Sequence, residues 1–162
     1  MLMLLLCINH ERYALPCEHV VEVLPLVSLK PLPQTPEYLV GVFKYQGSIV
    51  PVIDLCQFIS GQSCHEQMST RIILIKYWDS QLPTTPEAQQ SQYKYIGLLA
   101  ERVLETFHKS SSEFIDVDIQ IGKLSYLGKM IVDEQGMIQY LPVEKLLSEA
   151  EKIHLLPEVQ SS

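Results

Sequence analysis

A chain of 162 residues that is 47% hydrophobic and 19% charged has ample material for a globular interior, which excludes a disordered sequence. Its formal charge of −7, with only 12 Lys and Arg scattered along it, excludes the clustered basic surface that nucleic acid or an anionic membrane requires. The length allows one domain, or two small barrels sharing a core.

The apolar opening, residues 1–8, is too short to span a bilayer and lacks the basic flank and cleavage site of a leader. A buried first strand is expected there, in a soluble, cytoplasmic protein. Short apolar, β-branched runs then recur at 12–15, 20–26, 39–45, 48–53, 71–78, 93–99, 102–107, 114–117, 126–132 and 137–141. Such regular spacing predicts barrels or a sandwich rather than βαβ units. His10-Glu11 is expected to turn the first hairpin, and Asp133-Glu-Gln-Gly136 a later one, with Gly136 supplying the permissive backbone. Residues 25–36 carry four prolines and read as a stiff loop. The polar stretch 79–92 reads as a mobile connection near the junction of two barrels. Residues 142–150, opening on Pro142 with Val143, Leu146, Leu147 and Ala150 at helical spacing, predict a terminal amphipathic helix, and the end of the chain is expected to fray.

The densest signal is Gly41-Val-Phe-Lys-Tyr-Gln-Gly-Ser-Ile-Val-Pro-Val-Ile-Asp-Leu55. It reads as strand, glycine turn, strand and helix start. Gly47 offers the positive φ of a tight connection. Pro51 removes an N–H, so its strand should sit at a sheet edge or hold a bulge. Asp54 stands at an N-cap position with Gln57 at capping-box spacing. An internal echo pairs the run from Tyr13 with the run from Tyr95, matching Glu18/Glu101, Val20/Val103 and Glu22/Glu105 if one extra residue follows Tyr95. Two similar barrels explain it.

Candidate chemistry is sparse. Cys7, Cys17, Cys56 and Cys64 form no CxxC pair, and Cys64-His65 lacks further ligands, so reduced thiols and no metal are expected. Asp54 has no partnered His or second carboxylate and reads as a cap rather than a catalyst. Glu22 reads as the solvent face of a strand. Gly97 and Gly122 read as bulge or turn positions, and Tyr38, Tyr45, Tyr77 and Trp78 as packing. His19, His65 and His108 have no triad context, and no phosphate loop or nucleophile elbow occurs.

The hallmark segment 41–55, together with Tyr13-Ala-Leu-Pro16, His19-Val-Val-Glu-Val23, Thr70-Arg-Ile-Ile-Leu-Ile75, Ile96-Gly-Leu-Leu-Ala-Glu-Arg-Val103 and Met137-Ile-Gln-Tyr-Leu-Pro-Val-Glu-Lys-Leu-Leu147, resembles the CheW family of chemotaxis coupling proteins. Val21-Glu-Val-Leu-Pro-Leu26, Lys30-Pro-Leu-Pro33, Ser69-Thr-Arg-Ile72 and Tyr126-Leu-Gly128 also look like CheW-like proteins of the Wsp surface-sensing branch. The resemblance implies an all-β fold with minor helices, built as two packed five-stranded SH3-like barrels. Residues 1–155 would form one CheW-like domain and 156–162 a tail. It implies a non-enzymatic adaptor without cofactor, joining a chemoreceptor's cytoplasmic tip to the regulatory domain of a CheA-type histidine kinase in membrane-associated arrays. By position, receptor contact falls on Val20, Glu22, Gly41, Gln46 and Gly47, and kinase-contact residues stay unassigned. Family members carry arginine immediately before the glycine, where this chain has Gln46. That departure raises a rival, a CheW-like domain that binds the kinase without coupling a receptor. A small β-barrel ligand carrier or enzyme is the rival from another class, and it needs a pocket of converging polar groups that the sequence does not supply.

Overall fold

A computed structural model describes residues 1–64, 66–78, 93–116, 128–143 and 146. The chain divides into two compact units, the first made of Met1–Glu18 with the chain from Arg102 onward, the second of His19–Glu101. Among the described residues eleven strands build them: β1 (Leu2–Ile8), β2 (Glu11–Pro16), β3 (Val20–Pro25), β4 (Leu39–Tyr45), β5 (Ser48–Asp54), β6 (Arg71–Trp78), β7 (Tyr93–Ala100), β8 (Arg102–His108), β9 (Ile115–Asp116), β10 (Lys129–Asp133) and β11 (Gly136–Tyr140). One short helix, α1 (Leu55–Ser60), follows β5. The fold is all-β with minor helices, as the strand spacing implied.

The first unit orders its strands β8-β1-β2-β11-β10-β9, and the second β3-β6-β7-β5-β4. Apart from the two-residue β9, these are the same sheet. Each holds a central antiparallel hairpin, β1–β2 or β6–β7, flanked by an antiparallel strand and by one parallel pairing, β2 with β11 or β7 with β5. The equivalence reaches single residues. Glu22 pairs Leu74, Leu74 pairs Gly97 and Gly97 pairs Val52 in the second unit; Glu105 pairs Leu5, Leu5 pairs Ala14 and Ala14 pairs Tyr140 in the first. A register shift sits at matching places, skipping Val21 between Val20 and Glu22, and Leu104 between Val103 and Glu105. The sequence echo is therefore a bulge repeated with its flanking valine and glutamate, the extra residue looping out of the ladder. It needs no inserted residue, because Ala14 aligns with Gly97; Tyr13 and Tyr95 are one position out of register.

The same echo spans the two passages between units, which fall after Glu18 and after Glu101. Residues 79–92, expected near the junction, instead lie between β6 and β7 of the second unit, outside the described residues. The tail 156–162 and Gly122 lie outside them too. Of the expected helix 142–150, residues 142, 143 and 146 are described: Val143 and Leu146 are buried, and the Leu146 N–H meets the Pro142 carbonyl at 3.4 Å.

Turns follow backbone chemistry. The first hairpin turns on Asn9-His10, not His10-Glu11; both turn residues take positive φ, 52° and 67°, and Glu11 already pairs Ile8. Two-residue turns need two left-handed positions, which asparagine tolerates well. Gln46-Gly47 turns β4 into β5 in the same way, with φ of 46° and 84°. Gly136, at φ 130°, closes the β10–β11 turn opposite Asp133, as expected.

Pro51 corrects an expectation. Its strand β5 lies inside the sheet, between β7 and β4, and the register shift of that pair skips Val40 on β4. The proline is tolerated because its partner Val42 turns both backbone groups away, to Lys30, at 2.9 and 2.8 Å. Pro51 thus occupies a non-hydrogen-bonded pair, and the recorded pairing of β5 with β7 begins one residue later, at Val52. Gly97 is likewise no bulge. A Cβ there would lie 2.8 Å from Ile72 Cγ2 and 3.1 Å from Val52 Cγ2, so the glycine makes room inside the second unit's core.

Each unit buries its own interior. Met3, Leu5, Ala14, Ile131 and Ile138 form the first cluster, with Phe107, Phe114 and Tyr140 packed against it. Residues 72–75 of β6 are all fully buried, so that stretch has no solvent face. In the second unit the Tyr45 hydroxyl on β4 donates to Glu22 Oε2 on β3 at 2.8 Å. Since β3 and β4 are the two ends of that sheet, the bond shows the sheet curled into a barrel.

Candidate functional site

The face carrying Tyr45 and Glu22 holds most of the residues singled out by sequence. Glu22 is exposed and sits just past the β3 bulge, which turns Val21 outward as well. The Tyr45 ring packs edge-on against Tyr95, centroids 5.6 Å apart, which orients the phenol toward the carboxylate. Because its hydroxyl donates a hydrogen bond to Glu22, the Tyr45 phenol is held above the ordinary tyrosine range. Gln46 and Gly47 follow directly and stand exposed at the turn. The structure therefore brings Glu22, Gln46 and Gly47 to one end of the barrel. Val20, half-buried, lies two positions back along β3.

Gly41 is elsewhere. It is buried near the opposite end of β4, about 13 Å from Tyr45 at the usual strand rise. Its φ is 154°, and a Cβ would come within 2.7 Å of the Lys30 carbonyl. It is glycine because the proline-rich segment crosses it to make the Lys30–Val42 bridge. Tyr45, taken from sequence as packing, is the residue sequence reasoning missed here. Its position immediately before Gln46-Gly47 was the available signal.

A second cluster gathers where β5 enters α1. Asp54 is the N-cap, as expected: Oδ1 accepts the N–H of Cys56 at 2.9 Å and of Gln57 at 3.2 Å, while Oδ2 accepts the Cys64 N–H at 3.0 Å. The capping box does not close. Gln57 sends its amide to Glu37 and to the Gly61 carbonyl, and the Asp54 N–H goes to the Tyr38 carbonyl at 2.7 Å. Burial pushes the Asp54 carboxyl up, against the three N–H bonds that pull it down. Cys56 and Cys64 form a disulfide, with Cα atoms 5.1 Å apart, which overturns the expectation of four reduced thiols. Their spacing matches no familiar motif; Asp54 and the glycine exit of α1 at Gly61 bring them together. Cys7 and Cys17 are free. Asp54, Cys56 and Cys64 together are the one group among the described residues with metal-ligand proximity, their ligand atoms within 4.8 Å.

Among the described residues, the first unit carries no counterpart of the Tyr45–Glu22 bond at its own hairpin. Arg12 of β2 instead grips Asp133 with both guanidinium nitrogens, at 2.7 and 2.8 Å. That pair, joined by the Gln135 N–H, holds the Asp133 carboxyl at about 2. Among the described residues, no helix is long and apolar enough to cross a membrane.

Among the described residues, two barrel-like units share one strand topology, and the chain passes between them twice. The chain belongs to the CheW-like domain family, whose model matches residues 2–151. It is 38% identical over 63 residues to protein FrzA of Myxococcus xanthus, and 28% identical over 72 residues to the chemotaxis protein CheW of Helicobacter pylori. Those alignments take in 39% and 44% of this chain, and the same shares of the two relatives, less than half the length of each. The chemotaxis protein CheW of Thermotoga maritima aligns over 145 residues at 25% identity, covering 88% of this chain and 84% of the relative. The crystal structure of the scaffolding protein TtCheW from Thermoanaerobacter tengcongensis shares the fold, with a TM-score of 0.69 at 21% identity over 86% of both chains.

Proposed function

We propose that this protein is a non-enzymatic adaptor that couples a methyl-accepting chemoreceptor to a CheA-type histidine kinase, within cytoplasmic arrays recruited to the membrane. Residues 1–155 act as one module of two barrels, followed by the tail. Binding both partners at once fixes their geometry and raises their effective concentration. Family membership carries the class, and the Tyr45–Glu22 bond carries the surface. It sets a fixed carboxylate beside the exposed Gln46-Gly47 turn, and with Val20 and the Gly41-dependent β4 this forms the receptor face. Which pathway it serves, swimming or surface sensing, is read from the kinase that co-purifies with the tagged protein.

The test titrates Glu22→Lys protein against receptor-tip peptide and against the kinase regulatory domain separately. Reversal of the one charge carried over to this surface by the resemblance is expected to weaken receptor binding about tenfold or more and leave kinase binding unchanged. Unchanged receptor affinity with lost kinase affinity assigns the face to the other partner. Gln46 favours a second reading, kinase binding without a receptor, because a neutral amide lacks the bidentate charge of arginine. Under the coupling reading, Gln46→Arg raises the salt dependence of receptor binding above that of the parent. If neither form binds receptor at low salt, the second reading holds.

A further inference from the structure

We propose that Cys56 and Cys64 are a reversible thiol–disulfide site, opened and closed by exchange with small-molecule thiols and disulfides. The Asp54 carboxylate is what makes the pair reversible rather than merely bridged. One of its oxygens accepts the Cys56 N–H and the other the Cys64 N–H, so the two backbones stay in place when the sulfur–sulfur bond is broken. The opened thiols therefore face each other at high effective concentration, ready to close again. The Cys64 sulfur also lies 3.8 Å from the Leu99 carbonyl, an acceptor for the thiol proton in the open form. The inference rests on the proposed function for its compartment: in a cytoplasm that keeps thiols reduced, a disulfide is transient and responsive. Cys7 and Cys17 belong to the first unit and are unpaired, and burial raises the Cys17 thiol, which leaves it little thiolate for exchange.

Exchange begins at Cys64. Both cysteines are buried, but Cys56 is 0% exposed in the first turn of α1, whereas Cys64 is 7% exposed and lies beyond Gly61 in a stretch whose Ser63 and Glu66 are exposed, so the Cys64 sulfur is the nearer to solvent. An external thiolate attacks the Cys64 sulfur, the Cys56 sulfur leaves as thiolate and takes a proton, and a mixed disulfide remains. A second external thiolate attacks that bond, releasing the Cys64 thiol and one small-molecule disulfide. Two electrons and two protons enter the pair; closure runs the same steps backward and consumes one external disulfide. The site sits at the Asp54 end of β5, roughly 20 Å along the strand from the Gln46-Gly47 turn. Its state accordingly changes the unfolding resistance of the second unit rather than the receptor face.

The purified full-length protein is equilibrated in glutathione buffers from fully reducing to fully oxidising, quenched in acid, alkylated and mapped by peptide mass. Cys56 and Cys64 are expected to pass together from alkylated to blocked within that range, in both directions, while Cys7 and Cys17 alkylate throughout. In urea, the closed form should have an unfolding constant on the order of 10- to 100-fold smaller than the open form. Cys64→Ser protein should match the open form in either buffer; if that variant does not fold, the titration of the parent decides alone. A bridge that survives the most reducing buffer in the folded protein overturns the proposal, as does a pair that never closes. Stoichiometric divalent metal retained on the reduced protein also overturns it, assigning Asp54, Cys56 and Cys64 to a metal instead. None of these readouts involves receptor or kinase, so failure here and failure of the adaptor reading are distinguishable.

Discussion

The two units are one sheet built twice, and they differ in what closes it. The first unit clamps its hairpin with Arg12 and Asp133, an exposed bidentate ion pair. The second ties β4 to β3 through Tyr45 and Glu22 and adds, at the far end of β5, a buried carboxylate and a disulfide. Exposed ion pairs contribute little, since water and salt screen them. A buried carboxylate with three N–H donors leaves costly unsatisfied groups if removed. The second unit should therefore depend on single residues far more than the first.

Asp54→Ala is the severest test of that asymmetry. It strands three backbone donors and uncaps α1, and should cost about 3 kcal/mol or more. Urea unfolding read by a probe in each unit should show the loss in the second unit. Equal loss from Arg12→Met in the first would break the comparison. Gly97→Ala comes next. The added methyl meets Ile72 Cγ2 at 2.8 Å and Val52 Cγ2 at 3.1 Å, β-branched atoms with little freedom to yield, so about 1–3 kcal/mol should be lost. At the equivalent position of the first unit, Ala14→Gly should cost only about 1 kcal/mol, a loss of packing and backbone restriction. A harmless Gly97→Ala would show that the register match carries no matching packing.

Most of this architecture was legible in the sequence, because apolar, β-branched runs and turn residues are local signals. Every expected strand has a counterpart, but the junction expected near 79–92 was misplaced: the passages between units fall after Glu18 and Glu101, a pair the echo already matched. What escaped was set by tertiary pairing. Pro51 reads as an edge signal, yet an interior strand accepts it when Val42 bonds to Lys30 instead. Gly97 reads as a bulge, yet only its neighbours across the core reveal a packing role. The Cys56–Cys64 bridge depends on Asp54 gathering a chain that reverses through Gly61, which spacing alone does not encode. Within the proposed receptor face, Glu22 and Gln46-Gly47 were reached by resemblance, whereas Tyr45 needed barrel closure to become visible.

The two hairpin ties also answer differently to pH. Tyr45 titrates above ordinary tyrosine because its hydroxyl donates a hydrogen bond to Glu22. A phenol raised on folding contributes stability that is complete below the ordinary tyrosine range and lost as pH climbs through the folded value. Tyrosinate absorbance compared between the parent and Glu22→Gln should show one phenol returned toward the ordinary range by the substitution. If no phenol moves, Tyr45 is not held by Glu22 in solution.

The smallest effect belongs to the first unit. Asp133 ionises at about 2, below the ordinary aspartate value near 4, chiefly because Arg12 donates both nitrogens to it. A carboxyl depressed on folding contributes stability above its unfolded value, and that contribution is lost as pH falls through the folded one. The loss should fall between about pH 4 and pH 2, and because the pair is exposed it should be slight and further reduced by salt. Carboxyl chemical shifts followed through that range should give Asp133 the late midpoint in the parent and an ordinary one in Arg12→Met. An unmoved midpoint would leave the Gln135 N–H as the cause, and the first unit would then hold its hairpin by local turn chemistry instead of a cross-strand ion pair.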